Sequence, residues 1–486
     1  MHLFLRYFAV VLLVLEGSGS ARAQNYQAIH GSMRAGGSLT VHNNPASIVH
    51  IPYSWDVTVF SVQEKHTTNA FVLNNASLLN PGNLKIGSVN GEGKWFIAGN
   101  TDLHLLNARI RLDSRQAIAF GVNFRSAFSA STSRVNWQDT LQDLHSFLDI
   151  NTNNLPFSAT ARVTNWLEVF GSYGRTIVDN GSAIINAGVT LSLNRGMGGG
   201  YLGGHNINYI GSGGSGNRSF DISNAELVYG YSANIDDARD NSFRDIMRRS
   251  RTGFSVSAGL EYIIPSYESE SEYEYEWKIG ASVMDLGFSS YQYSRNSRNA
   301  IFNKDNITDS MVESSFENVE TIEEAIDTLT SLAGSISTPS GNFTIMHPAR
   351  IVINADRHLQ GNFYVNAELT IPVTSVLSEK YLFVKDMNLL AITPRYESRL
   401  LGVYLPVTLN TRQQVWIGGA LRAGPLLLGV HNWANVFGKK SLHRGGFYLA
   451  LTFRPGKKRE EDSNTSRDGG EKLSRKQRKV LDCFKF

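Results

Sequence analysis

Two glycine triplets carry the most recognisable chemical spacing in this chain. Gly198-x-Gly200-x-x-Gly203 and Gly211-x-Gly213-x-x-Gly216 match the pattern with which backbone N–H groups cradle a dinucleotide pyrophosphate. That cradle works only where a strand turns into the helix of a βαβ unit, and neither triplet has this setting. Both therefore read as flexible connections between strands. No G-x-S-x-G elbow, H-E-x-x-H pair or cysteine-based metal spacing occurs, and His104, His347, His358, His431 and His443 are scattered. No catalytic set, metal site or cofactor is expected, and the chain does not read as an enzyme. A formal net charge of +3 argues for no particular partner, and nothing points to nucleic acid.

The polar residues that remain as candidates are Glu261, Glu274, Glu276, Lys278 and Glu368. They lie within runs of strict alternation, which is the mark of strands with two chemically different faces. Phe254, Val256, Ala258, Leu260 and Tyr262 share one face, and Ser255, Ser257, Gly259 and Glu261 the other. Ile185 to Leu193 alternate with Asn186 to Asn194, and Ile118 to Phe124 with Ala119 to Arg125. Tyr273, Tyr275, Trp277 and Ile279 alternate with Glu274, Glu276, Lys278 and Gly280. Phe363 to Leu369 repeat the pattern against Tyr364 to Thr370, and Phe447, Leu449, Leu451 and Phe453 close it.

Many of these runs reach about ten residues, the length at which a tilted strand crosses a bilayer. One row is apolar, as lipid requires, and the opposite row is small and polar, as a wet or plugged lumen requires. A secreted β-sandwich or β-helix also alternates, but with strands of about five or six residues. The fold expected is all-β: a transmembrane antiparallel barrel of about 14 strands, with 12 to 16 open. The five polar candidates would then face the lumen, either pairing across neighbouring strands or lining a substrate path.

The ends and connections fit such a barrel. Arg6, the apolar run Tyr7 to Leu15 and Ala21-Arg22-Ala23 before Gln24 form a secretory signal, so residues 1–23 are expected to be removed on export. The single cysteine, Cys483, permits no internal disulfide. Short connections lie at Asp113-Ser114-Arg115, at Asp179-Asn180-Gly181 and near His358 to Asn362, with long polar stretches at 127–158, 233–251 and 295–347. Short turns inside and long loops outside are the topology of an outer-membrane barrel, here spanning 53–454.

Three segments are not wall. Residues 24–52 are rich in Gly, Asn and His without strand period, and read as an inward plug or a disordered periplasmic leader. Within 295–347, Thr321-Ile322-Glu323-Glu324 is a capping-box start followed by an apolar stripe through Leu332, so a short amphipathic helix is expected. It would pack on the barrel mouth or dock a protein partner. The tail 455–486 is polar and basic and is expected to be a disordered periplasmic extension able to touch lipid or protein.

Asn44-Pro45-Ala46, Tyr53-Ser54-Trp55-Asp56-Val57 and Met284-Asp285-Leu286-Gly287-Phe288 occur in order. Arg422-Ala423-Gly424-Pro425-Leu426, His431-Asn432 and Phe437-Gly438-Lys439-Lys440 follow. This set resembles an uncharacterised family of Bacteroidota outer-membrane proteins, itself similar to the long-chain fatty-acid transporter superfamily. The resemblance implies fourteen strands and an N-terminal plug whose position Asn44, Pro45 and Ala46 help to set. It implies either passive passage of small hydrophobic molecules, or an anchor, shuttle or scaffold for exported proteins as in type 9 secretion. The basic extension past Phe453 departs from the family's usual ending.

Overall fold

Runs that alternate apolar and polar residues become strands because the pleat turns successive side chains to opposite faces. The computed structural model describes residues 27–74, 85–138, 144–212, 219–236, 243–266, 273–308, 334–373, 382–385, 388–410, 414–437 and 443–455. Fourteen strands form one closed antiparallel barrel. The first seven are β1 (Trp55–Thr68), β2 (Gly91–Arg111), β3 (Gln116–Trp137), β4 (Phe157–Asp179), β5 (Ile184–Ser212), β6 (Thr252–Pro265) and β7 (Tyr275–Gln292). Next come β8 (Asn342–Met346 with Arg350–Gln360), β9 (Phe363–Pro372) and β10 (Leu389–Glu397). The last four are β11 (Leu401–Tyr404 with Val407–Asn410), β12 (Val415–Ile417 with Gly419–Ala423), β13 (Leu426–Val430) and β14 (Phe447–Phe453). The ring closes where β14 pairs with β1, from Val57 opposite Phe453 to Gln63 opposite Tyr448. Closure satisfies every edge, which is what lets a sheet cross hydrocarbon.

One end of the barrel carries the short turns after β2, β4, β8, β10 and β12, and β1 begins and β14 ends there. Two of those turns place Gly361 and Gly424 at φ +58, a conformation that glycine adopts without a side-chain clash. Around the outside, Leu191 and Leu193 on β5 are 62% and 64% exposed, while Ser192 and Asn194, which alternate with them, are buried. The same inversion recurs at Phe254, Leu260, Ile353, Val403 and Leu421, all exposed. A belt of bare leucine, isoleucine, valine and phenylalanine is stable in lipid and not in water. No helix among the described residues is long and apolar enough to cross a membrane.

Several connections differ from the expectation of simple loops. β5 runs 29 residues and contains Gly198, Gly200 and Gly203, so the first glycine triplet is strand and not a connection. Its glycines make room for aromatic rings: a Cβ on Gly196 or Gly199 would lie 2.7 or 2.6 Å from the Tyr291 ring. The second triplet starts at the end of this strand, at Gly211. β3 continues to Trp137, which shortens the loop expected at 127–158 to the stretch before Phe157, with a helix at Leu144–Ile150. The region 233–251 holds the helix Phe243–Arg249. Region 295–347 holds the strands Arg298–Thr308 and Ser335–Ser337 and the start of β8. With the strand Ser219–Tyr231, which pairs to the far half of β5, they form a sheet that rises beyond the apolar belt. The signal segment, the stripe at 321–332 and the tail beyond Pro455 lie outside the described residues.

Candidate functional site

The lumen is filled in layers, and the lowest is the N-terminal segment. Glycine, asparagine and proline break it into 3-10 turns at Gln27–Ile29, Gly37–His42 and Pro45–Ile48, and residues 28–51 are almost all buried inside the barrel. Asn44 caps the third turn, its Oδ1 accepting from Ala46 N at 2.9 Å, with Pro45 at the first helical position. The same side chain donates from Nδ2 to the wall carbonyl of Leu260 at 2.9 Å. Beneath it three adjoining strands each offer a glycine: Gly174 on β4 lies opposite Gly188 on β5, which lies opposite Gly259 on β6. A Cβ on Gly188 would come within 2.4 Å of the Pro45 backbone, and one on Gly259 within 2.1 Å of Asn44 Oδ1. Asn44, Pro45 and Ala46 thus rest backbone-to-backbone on the wall.

Three of the five polar candidates hold this segment. Glu261 accepts from Ser47 Oγ at 2.8 Å and from Asn186 at 3.2 Å. Glu274 takes Arg34 at 3.1 Å and the Tyr364 hydroxyl at 2.9 Å. Glu368 pairs with His30 Nδ1 at 2.5 Å and accepts from Thr370 at 3.0 Å. Each thus has one partner from the plug and one from the wall. Lys278 is buried with its ammonium 4.8 Å from the Tyr275 ring. Glu276 differs from the alternation, since it is exposed on the outer side beside Trp277. The register of β6 and β7 shifts between Tyr275 and Trp277, which turns Tyr275 into the lumen and Glu276 out of it. Further ties come from Arg109, which binds Asp56 at 2.6 Å and the Ile48 carbonyl at 3.1 Å. Ser282 donates to Asn43 O at 2.7 Å, and Arg454, just past β14, donates to Ala35 O at 2.7 Å.

Above the plug lies a lattice of buried charge that sequence reasoning missed. Arg125 on β3 donates from Nε to Asp102 at 2.7 Å, and from Nη1 to Glu168 at 3.2 Å. Asp285 receives Nη1 and Nη2 at 2.8 and 2.9 Å. Arg350 donates to Asp285 at 2.5 Å and to the plug carbonyl of His42 at 2.9 Å. Asp285 reaches this point because β7 bulges there: Met284 and Asp285 together oppose Ser257, and Asp285 takes φ +57. Aspartate tolerates that left-handed conformation better than most residues. The plug contributes an uncharged partner, since burial, with His104 and Arg125 beside it, holds the His42 imidazole well below its ordinary value. Its Nε2 sits 3.0 Å from Asn107 Nδ2, and its ring stacks on His104 at 4.4 Å. Such a lattice is costly to break, because each remaining charge would be left unpaired in a low-dielectric interior.

The third layer is aromatic. Trp166 on β4 stacks on His347 at 4.2 Å with the rings 11° from parallel, and Arg125 lies 5.3 Å from the indole on the lattice side. Tyr291 and Phe343 meet at 5.3 Å, and Ser289 Oγ lies 2.8 Å from His347 Nε2. No group of three or more His, Cys, Asp or Glu able to hold a metal ion occurs among the described residues. The arrangement is a plugged lumen with a charged middle and an apolar top.

Residues 45–430 match the model of a family described as "Family of unknown function (DUF5723)". The chain belongs to that family. The matched stretch runs from the Asn44-Pro45-Ala46 turn to the end of β13 and so covers most of the barrel. No curated protein matches the chain. Among solved structures, a FadL homologue from Pseudomonas aeruginosa is 12% identical, covering 90% of this chain and 100% of its own, with a TM-score of 0.41. The toluene transporter TbuX from Ralstonia pickettii is also 12% identical, over 86% of this chain and 94% of its own, at 0.38. The translocator domain of the autotransporter NalP from Neisseria meningitidis is 7% identical over 83% and 88%, at 0.30. All three superpositions are loose.

Proposed function

We propose that this DUF5723 protein is an outer-membrane channel for passive movement of small hydrophobic molecules, with its turn end and termini in the periplasm. The observation that carries the reading is the layered lumen. Its base is blocked by a plug seated on glycine, its middle is sealed by paired charge, and its upper part is lined by Trp166, Tyr291 and Phe343. A polar solute would find no water-filled path through these layers, whereas an apolar one gains by leaving water for the aromatic layer. With the base blocked, such a molecule leaves through the wall into the surrounding lipid.

Deleting residues 25–52 tests the plug. In liposomes carrying the full-length barrel, efflux of a trapped hydrophilic dye should be slow, and the deletion should raise it severalfold. Equal efflux from both would remove the plug from the mechanism. The sheet rising beyond the belt favours a second reading, a barrel that anchors or shuttles exported proteins through region 295–347 or the basic tail. Under that reading neither form moves hydrophobic solutes, and a stoichiometric protein co-purifies from native membranes in mild detergent.

A further inference from the structure

β9 ends at Pro372, opposite Arg350, so the upper part of β8 has no β9 partner. Its place is taken by residues 382–385, where Leu382 and Phe383 run parallel to Ile345 and Met346. The same four-residue strap, 382–385, then crosses to the far wall. Arg162 on β4 donates to Phe383 O at 3.3 Å and lies 5.4 Å from its ring, and Lys385 N donates to Ser129 Oγ on β3 at 2.9 Å. Val384 is thereby buried completely among Ala127, Trp166, Tyr291, Phe343 and Ile345. A small aliphatic side chain at the end of a short strap fills the centre of the aromatic layer.

The surroundings of Val384 contain polar atoms that nothing satisfies. Trp166 and His347 are each 1% exposed, and Trp166 Nε1 and His347 Nδ1 have no hydrogen-bond partner among the described residues. Burying such an atom unpaired is unfavourable, and a ligand with a matching atom removes that cost. The indole N–H can only donate, so the matching atom is an acceptor. Among the described residues the strap is held by two paired residues and two polar contacts, far fewer ties than the plug has.

We propose that the strap is a lid and that Val384 occupies the binding site of a small apolar molecule bearing one hydrogen-bond acceptor. The molecule displaces Val384, stacks among Trp166, Tyr291 and Phe343, and accepts from Trp166 Nε1. This rests on the reading of the barrel as a channel for hydrophobic molecules, and extends it to a defined capture site with a gate.

The test uses the full chain in nanodiscs with Cys483→Ser, and adds Ser129→Cys together with Lys385→Cys to tie the strap to β3. The probe is 6-propionyl-2-dimethylaminonaphthalene, an apolar fluorophore with one carbonyl acceptor. Oxidation should form the cross-link and weaken saturable probe binding by about ten-fold or more, reduction should restore it, and Trp166→Phe should weaken binding in the reduced form by up to about ten-fold. Equal binding by oxidised and reduced protein, no saturable binding in either, or failure of the two cysteines to cross-link in the folded barrel would each overturn the proposal. Probe flux into liposomes is read separately. Reversible binding without flux sinks the channel reading and leaves the lidded site standing.

Discussion

Strands β2 to β5 run 21, 22, 23 and 29 residues, whereas β10, β13 and β14 on the opposite side run 9, 5 and 7. At about 3.3 Å per residue, β5 is roughly 95 Å long, several times what the bilayer demands. The two sides also differ inside. The tall wall turns Asn107, Arg109, Asn123, Arg125 and Glu168 inward. The short wall turns inward Tyr404, Ala420, Leu427, Tyr448 and Ala450, which pack on Ala28, Ile29, Ala35 and Leu39 of the plug. Its charged residues lie among them, Arg395 opposite Tyr404 and Arg422 opposite Leu427.

The ladders differ in the same sense. β3 and β4 pair without a register shift from Gln116 to Thr132. On the short wall Pro394 faces Leu405 and Pro406 faces Gly418, and neither proline has an N–H to give. One bond of each pair survives, Leu405 N to Pro394 O at 3.1 Å and Gly418 N to Pro406 O at 2.8 Å. A wall of short strands with a thinned ladder is the side on which lipid and lumen are separated by least. The tall side holds the architecture, and the short side is where it yields.

Three variants press on that contrast. The largest effect is expected from Arg125→Ala, which leaves Asp102, Glu168 and Asp285 buried without their shared partner and should cost about 3–5 kcal/mol. Denaturant unfolding in lipid should show it, with Tyr448→Phe on the short wall changing little; equal losses would erase the distinction. Gly188→Val comes next. Its side chain would occupy the seat of Pro45, so the barrel should fold while trapped hydrophilic dye escapes faster. Gly171→Val, outward on β4 with open space around its Cα, is the control. The smallest effect belongs to Pro394→Val with Pro406→Val, which returns two ladder donors worth about 0.5–1.5 kcal/mol each. The unfolding midpoint should rise and passage of hydrophobic probe into lipid should slow. An unchanged midpoint would mean that the prolines do not thin the wall.

The belt and the strands bearing it were legible because alternation is a local property. Phe254 to Tyr262 and Ile185 to Leu193 face lipid as their period demands. Glu276 defeated the period because a register shift beside it breaks the alternation, and the shift depends on pairing with β6. Asp285 stands in a conspicuous stretch, Met284 to Phe288, yet its role needs a bulge and partners on β3 and β8. Gly188 and Gly259 were visible as small residues on the polar face. That they adjoin, and with Gly174 make a seat, depends on which strands are neighbours and in what register. The glycines of 198–203 looked like a loop because glycine disfavours strands, and the Tyr291 ring laid over Gly199 and the neighbouring Gly196 is a contact that no local pattern reveals.

Arg454 lies immediately beyond the last strand and binds the carbonyl of Ala35, 419 residues earlier. β14 also completes the ring by pairing with β1, so the contact between the two ends of the chain forms in the same event that closes the cylinder. Drawing such distant segments together is the slow, entropically expensive step of assembly. Closure of the ring and the tie to the plug therefore share one seam, and what loosens that seam loosens both.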